Sequence, residues 1–300
     1  MHIDWERKKS GALLPVELKN IRGKLIYFTI LVIVLIIALI CLVPVLWLVI
    51  TSMKDVKEIY QVPPTLLPKH IDLMKFKRVW DKMSFFKYYK NSFILCAGAI
   101  LADIAISGLA GYVLSRLRPH GIRAVHTAIF LTMLIPGTVS LVPLFKTFLD
   151  MPIIHVSLVD TYIPMWLMAC ANCFNILIFK STFDSVSKEF IEAAQIDGCS
   201  NFGIFLRIVM PLSLPVIMVI AILDFTGVWG EFLYPYLLLQ NKDLYPVAVK
   251  IYDLKVSGGG ILLDEYMMAL FFTIIPPVIL FIVFQKQMMN GVSFSGGVKG

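Results

Sequence analysis

Three acidic residues stand inside or beside long apolar runs: Asp103, Asp224 and Glu231. A carboxylate in hydrocarbon is costly, so it marks either a functional site or a hydrogen-bonded tie between helices. Asp224 and Glu231 are seven residues apart, a spacing that puts both on one helix face. Trp229, Tyr234 and Tyr236 lie close by, and the set could line a polar path for a hydroxyl-rich solute. Such a solute would be held by hydrogen bonds and by stacking of its apolar faces on the rings. For Asp103 and Asp224 the competing role is to hold neighbouring helices together. No nucleophile–base pair stands within an apolar run, which speaks against an intramembrane hydrolase. There is no phosphate-binding glycine loop, no GxSxG and no HExxH.

Metal and redox chemistry find little support. Cys170 and Cys173 form a CxxC, but no histidine pair accompanies them at zinc spacing, and they read as small packing residues on a helix. His120, His126 and His155 share no ligand spacing and read as interfacial side chains. The expectation is no metal, no cofactor and no disulfide framework.

The elements that position these residues follow from composition. The chain of 300 residues is 58% hydrophobic and 16% charged, with a mean hydropathy of +0.81. Soluble domains carry about 25% charged residues, so this is an all-α multi-pass membrane protein. The net charge of +7 is spread between apolar runs and not gathered on one soluble module, which excludes a nucleic-acid partner. A span needs about 20 apolar residues. Six segments qualify or nearly so: Leu25–Ile50, Asn91–Ser115, Ala124–Phe145, Val159–Phe179, Val209–Leu239 and Tyr266–Gln285. The first is too long for a cleaved signal peptide and reads as a retained span. Prolines at 136, 143, 211, 215, 276 and 277 are places where helices can bend.

Six spans put both termini on one side. The basic leader (Arg7, Lys8, Lys9, Lys19, Arg22, Lys24) and the Arg116, Arg118, Arg123 loop assign that side to the cytoplasm, although the loop between Lys54 and Lys90 is also basic. The expected organisation is a cytoplasmic segment 1–24, a transmembrane domain 25–290 with a cytoplasmic loop 181–207, and a cytoplasmic tail 291–300. The connection 51–90 is expected to carry a helix along the membrane interface, since its second half mixes aromatic and basic residues. Gly258, Gly259 and Gly260 mark a hinge or flexible tip in the connection 240–265.

The loop 181–207 has a definite local design. Ser187 is a plausible N-cap, with Glu189 in the first turn where negative charge is favoured. Lys188, Glu192 and Gln195 fall on one face; Phe190, Ala193 and Ala194 fall largely on another. Gly198 is a natural stop, because only glycine enters the left-handed region cheaply. Ser200 or Asn201 can cap a second helix through Phe202, Phe205 and Ile208 towards Pro211. The result is a helix–turn–helix elbow suited to docking: Ala193 and Ala194 would let a partner approach closely, and Glu192 offers a charge-assisted hydrogen bond.

Glu192-Ala193-Ala194, then Gly198, then Ile208 and Pro211 resembles the EAA signature of binding-protein-dependent ABC importer permeases, with Met210 standing where the pattern has leucine. The resemblance extends over nearly the whole chain. It is nearest the carbohydrate-importer group, in particular the smaller permease subunit of maltose-type importers. Pro63-Pro64-Thr65-Leu66-Leu67-Pro68, Ala110-Gly111-Tyr112-Val113-Leu114-Ser115-Arg116 and Trp229-Gly230-Glu231-Phe232 are similar to motifs of that group, with Gly230 replacing an asparagine. The resemblance implies a six-helix permease in the cell membrane of a prokaryote. Glu192, Ala193, Ala194, Asp197, Gly198, Ile208 and Pro211 would couple it to separate ATPases. Its partners would be a second homologous permease, two ATP-binding subunits and an extracytoplasmic solute-binding protein, with a carbohydrate as substrate and no ATP hydrolysis by this chain. The tail Ser295, Gly296, Gly297, Val298, Lys299 and Gly300 resembles one that reaches into the ATPase pair. Asp224, Trp229, Glu231 and Tyr234 would line the substrate path. The alternative is an ion-coupled secondary carrier, for which Asp103 and Asp224 offer a small opening but the capped elbow has no use.

Overall fold

The computed structural model describes residues 21–257 and 260–295, with side chains to residue 286. The described residues are predominantly helical and contain no strand. Contacts divide the chain after Asp72 into two compact units.

The first unit is dominated by α1 (Ile21–Ser52). It is apolar all round, and almost every side chain from Leu25 to Trp47 is exposed. A helix with no polar face has the character of a membrane span. Beyond it Lys54 lies 5.0 Å from the Trp47 ring centroid and donates to the carbonyl of Thr65. Glu58 accepts from Thr65 Oγ1 at 2.6 Å and organises this connection.

The second unit begins with α2 (Leu73–Lys82), the amphipathic helix expected before the second span. Its Lys75 is buried in an ion pair with Asp264 at 2.9 Å. The long helix α3 (Phe85–Leu117) is the spine of this unit. It packs against α6 (Ile163–Cys170), α7 (Cys173–Ser185) and α10 (Leu214–Gly230). Gly111 lets the backbone of α7 come close: a Cβ there would lie 2.6 Å from Phe179 Cβ and 2.9 Å from the Lys180 nitrogen. Around that contact Tyr112, Phe179, Phe183, Phe205 and Ile220 form one core cluster; Val79, Phe85, Trp229 and Phe272 belong to another.

Among the described residues three helices are long and apolar enough to cross a membrane, α1, α3 and α13 (Leu263–Ser295), and up to six spans result if each bent pair counts as one. Between α3 and α6 the chain forms α4 (Ile122–Thr132), a short turn Gly137–Ser140 and α5 (Leu141–Leu149). The first bent pair, α4 and Gly137–Leu149, turns by 94° at Pro136. The second, α6 and α7, turns by 46°, where Asn172 caps α7 by accepting from the Asn175 N–H. The third turns by 79° at Ser213, between Asn201–Leu212 and α10. Pro276 and Pro277, expected bend sites, sit inside the one span Leu263–Lys286. The expected fifth span ran to Leu239; the helix stops at Gly230, and the chain turns at Glu231 before α11 (Leu233–Leu238). Then α12 (Val247–Val256) leads towards α13.

Candidate functional site

The elbow is built by α8 (Lys188–Ile196) and α9 (Asn201–Leu212), the latter opening into a wider π turn at Phe205–Val209. Ser187 Oγ accepts from the Glu189 N–H, and Ser200 Oγ accepts from the Gly203 N–H at 3.2 Å, so both helices start on serine caps. Gly198 adopts φ +78°, and the Cys199 N–H donates to the Ala194 carbonyl at 2.9 Å. This is a Schellman-type stop, which a residue with a Cβ would strain.

The two faces of α8 differ sharply. Ile191 and Ala194 are buried against the body of the protein, so Ala194 does not offer the close approach expected of it. Ala193, Glu192 and Asp197 are exposed, and neither carboxylate has a hydrogen bond or ion pair among the described residues. Large apolar side chains stand out in the same region: Phe190 is 57% exposed, Ile196 87% and Phe202 59%. Ile208 is partly buried against the core, and Pro211 is exposed just before the 79° bend.

A polar cluster holds the base of the elbow. Arg116, at the end of α3, donates to the carbonyls of Phe183 and Val186, the last residues before the Ser187 cap. Cations are favourable at the carbonyl end of a helix. Ser115 Oγ donates to Asp184 at 2.7 Å, and Lys180 pairs with the same carboxylate at 2.7 Å. The elbow is therefore fixed to the spine.

Deeper in the bundle, Asn175 Nδ2 donates to Asp103 Oδ2 at 2.8 Å and to Asp224 Oδ1 at 3.0 Å. Ser107 Oγ donates to Asp103 Oδ1 at 2.5 Å. Asp103 is fully buried, and Asp224 Oδ2 is buried without a partner. One amide thus ties α3, α7 and α10.

The residues expected along a substrate path are dispersed. Asp224 belongs to this tie. Trp229 is buried, stacked on Phe225 at 5.3 Å, with its indole N–H donated to the Thr273 carbonyl. Glu231 lies beyond the helix end, in extended backbone, and accepts from the Leu233 N–H at 2.7 Å as a cap of α11. Tyr234 packs in a third cluster with Leu95 and Leu238. Of these four, Trp229 alone lines the open cavity of about 540 Å³ that also includes Gly230 and Phe232. Of the tail, Ser295 ends α13, and Gly296–Gly300 lie outside the described residues. No cluster of three metal-ligating side chains occurs among the described residues.

Residues 104–292 match the family described as "Binding-protein-dependent transport system inner membrane component". The chain belongs to this family. It is a multi-pass inner-membrane permease component. It is 29% identical to the arabinooligosaccharides transport system permease protein AraQ of Halalkalibacterium halodurans, over 88% of this chain and 93% of that one. It is 31% identical to the probable ABC transporter permease protein YurM of Bacillus subtilis, over 86% of this chain and 83% of that one. Among solved structures, a bacterial ABC transporter involved in importing the acidic polysaccharide alginate matches with a TM-score of 0.76. That match has 25% identity and covers 89% of this chain and 98% of the other.

In this permease the tie through Asn175 and the anchor through Arg116 escaped the sequence reading. Asn175 is an ordinary amide in an apolar run, and nothing local pairs it with Asp103 or Asp224. Arg116 was legible as a loop charge and as the end of a motif, but its carbonyl partners lie 67 and 70 residues away.

Proposed function

We propose that this permease carries a sugar or oligosaccharide across the membrane as one half of a pair with a second, homologous permease. Two separate ATP-binding subunits drive it, an extracytoplasmic binding protein delivers the substrate, and both termini are cytoplasmic. The observation that carries the reading is the elbow: a short capped helix, anchored at its base, with Phe190, Ile196 and Phe202 exposed around an unpaired Glu192. Apolar side chains on a rigid helix fit a protein groove. The similarity to AraQ and to the alginate importer supports a carbohydrate substrate.

Movement then follows from differential binding. Closure of the ATP-binding pair pushes the elbow, and Arg116 and the Asn175 tie pass the displacement to the spine. Driving a two-state element from 1:99 to 99:1 needs about 5.5 kcal/mol of differential affinity. In this reading the tail Ser295–Gly300 adds a second contact with the ATP-binding subunits. Asp224, Trp229, Glu231 and Tyr234 act mainly by shaping the helices beside the path.

The test is uptake by the assembled transporter in proteoliposomes. Glu192→Ala should weaken ATP-driven uptake and association with the ATP-binding subunits, and collapsing the ion gradient should leave uptake intact. Uptake that follows the ion gradient and ignores ATP would instead support a secondary carrier using Asp103 and Asp224.

A further inference from the structure

The cavity of about 540 Å³ lies where the end of α10 meets α12 and the start of α13. Its size falls in the range of small-molecule sites. Its walls are aromatic: Trp229 and Phe232 from the α10 end, Tyr252 from α12 and Tyr266 from α13. The Phe232 and Tyr252 rings lie 4.8 Å apart, and Tyr236 braces Tyr252 edge-on at 5.0 Å. Trp229 is held in place through its bond to Thr273. Gly230 leaves the space open, since a Cβ there would meet nothing within 4 Å.

The polar groups at this cavity are uncommitted. The hydroxyls of Tyr252 and Tyr266 and the ammonium of Lys255 have no partner among the described residues. Three acids near this end are paired with cations, and Glu231, between Gly230 and Phe232, accepts from the Leu233 and Tyr234 N–H groups. Asp253 takes Lys242 at 3.0 Å and Ser257 at 2.7 Å, Asp264 takes Lys75, and Glu265 takes Lys82 at 2.7 Å. Burial works to raise the Asp253 carboxyl, but the bonds from Ser257 and Lys242 and the nearby lysine charges outweigh it and hold it below its ordinary value. Asp253 therefore stays charged and committed to Lys242, and Lys255 makes no ion pair among the described residues.

Flat apolar walls, free phenol hydroxyls and one uncompensated cation match a particular ligand chemistry. The apolar face of a sugar ring stacks on aromatic rings, its hydroxyls bond to phenols, and an anionic substituent answers the lysine. We propose that this cavity is a subsite for a carbohydrate ring bearing a carboxylate or similar anion. Tyr252 and Phe232 form its stacking wall, and Lys255 is the residue that selects charge. The proposal rests on the transport reading above and gives it a location and a substrate class.

The experiment uses the purified full chain in nanodiscs of zwitterionic lipid, with methyl glucuronide and methyl glucoside as probes and saturation-transfer NMR as the readout. The expected result is stronger binding of the glucuronide, reduced about tenfold by Lys255→Met, as loss of a charged hydrogen bond implies. Binding of the glucoside should be unchanged by Lys255→Met, and Tyr252→Ala should weaken both sugars. Tyr252→Phe, which keeps the ring, should retain most of the stacking and guards against misfolding of the alanine variant. Equal binding of both sugars, or indifference to Lys255→Met, overturns the proposal. So does displacement of the glucuronide by anionic lipid added to the nanodisc, which would make the cavity a headgroup site. ATP-driven uptake that depends on Glu192, alongside a silent cavity, would remove this subsite and leave the transport reading standing.

Discussion

The Cys199 N–H donates to the Ala194 carbonyl at 2.9 Å, closing the end of α8 across Gly198. That bond requires the backbone to turn left-handed at Gly198, at φ +78°. An alanine there is strained by about 1–2 kcal/mol, and a proline cannot adopt the angle at all and loses the Gly198 N–H bond to Gln195. Gly198→Ala should lower ATP-driven uptake partially and Gly198→Pro nearly completely, with membrane insertion unchanged in both. Wild-type uptake by Gly198→Pro would show that the shape of the elbow is irrelevant.

Arg116 should matter for coupling more than its position in a short loop suggests. One guanidinium nitrogen, Nη2, donates to both the Phe183 and Val186 carbonyls, and a lysine would have to bring its compact, strongly hydrated ammonium to the same point on a shorter, more flexible stem. Both Arg116→Ala and Arg116→Lys should reduce uptake while the chain still assembles with its partners. Full rescue by lysine would mean that charge alone was needed.

The tie through Asn175 makes a prediction about non-additivity. Asn175→Val leaves Asp103 and Asp224 without their common donor and should cost about 1–3 kcal/mol, read as a lower melting temperature in detergent. Asp224→Val in that background should cost less than Asp224→Val alone, with a coupling of about 0.5–3 kcal/mol. Simple additivity would disconnect the two residues energetically.

Two glycines should behave oppositely. A Cβ at Gly111 collides with Phe179 and the backbone of Lys180, so Gly111→Ala should destabilise by about 1–3 kcal/mol. A Cβ at Gly230 meets open space, and Gly230→Ala should lie within about 0.5 kcal/mol of wild type in thermal unfolding. Equal stabilities would refute the close packing of α3 on α7.

That apolar runs form long helices, and where the elbow's caps fall, was legible, because apolar length and serine or glycine chemistry act locally; the helix ends were less so, since α3 starts at Phe85 and α9 at Asn201, ahead of the apolar runs. Ser187, Gly198 and Ser200 adopt the roles their residue types prescribe. The bends were only half legible. Pro136 marks one, yet Pro276 and Pro277 lie within a single span while the proline-free step at Ala171–Asn172 turns by 46°. A break can also come from a capping side chain, as where Asn172 accepts from the Asn175 N–H, and proline content does not record that. Glu231 misled for a related reason. Its spacing from Asp224 implied a common face, but the helix ends one residue earlier and the carboxylate reaches forward to accept from the N–H groups that open α11. Long-range pairings such as Asn175 with Asp224 become visible only when the helices are packed.

The most direct test places a benzophenone amino acid at Ile196, the most exposed apolar residue of α8, in the assembled transporter. A second is placed at Phe86, at the far end of α3 from the elbow's anchor. Irradiation should join position 196, and not position 86, to an ATP-binding subunit, and Gly198→Pro should abolish that product. An ATP-binding subunit captured at 86, or never at 196, would contradict the claim that ATP-driven work enters this permease at its elbow.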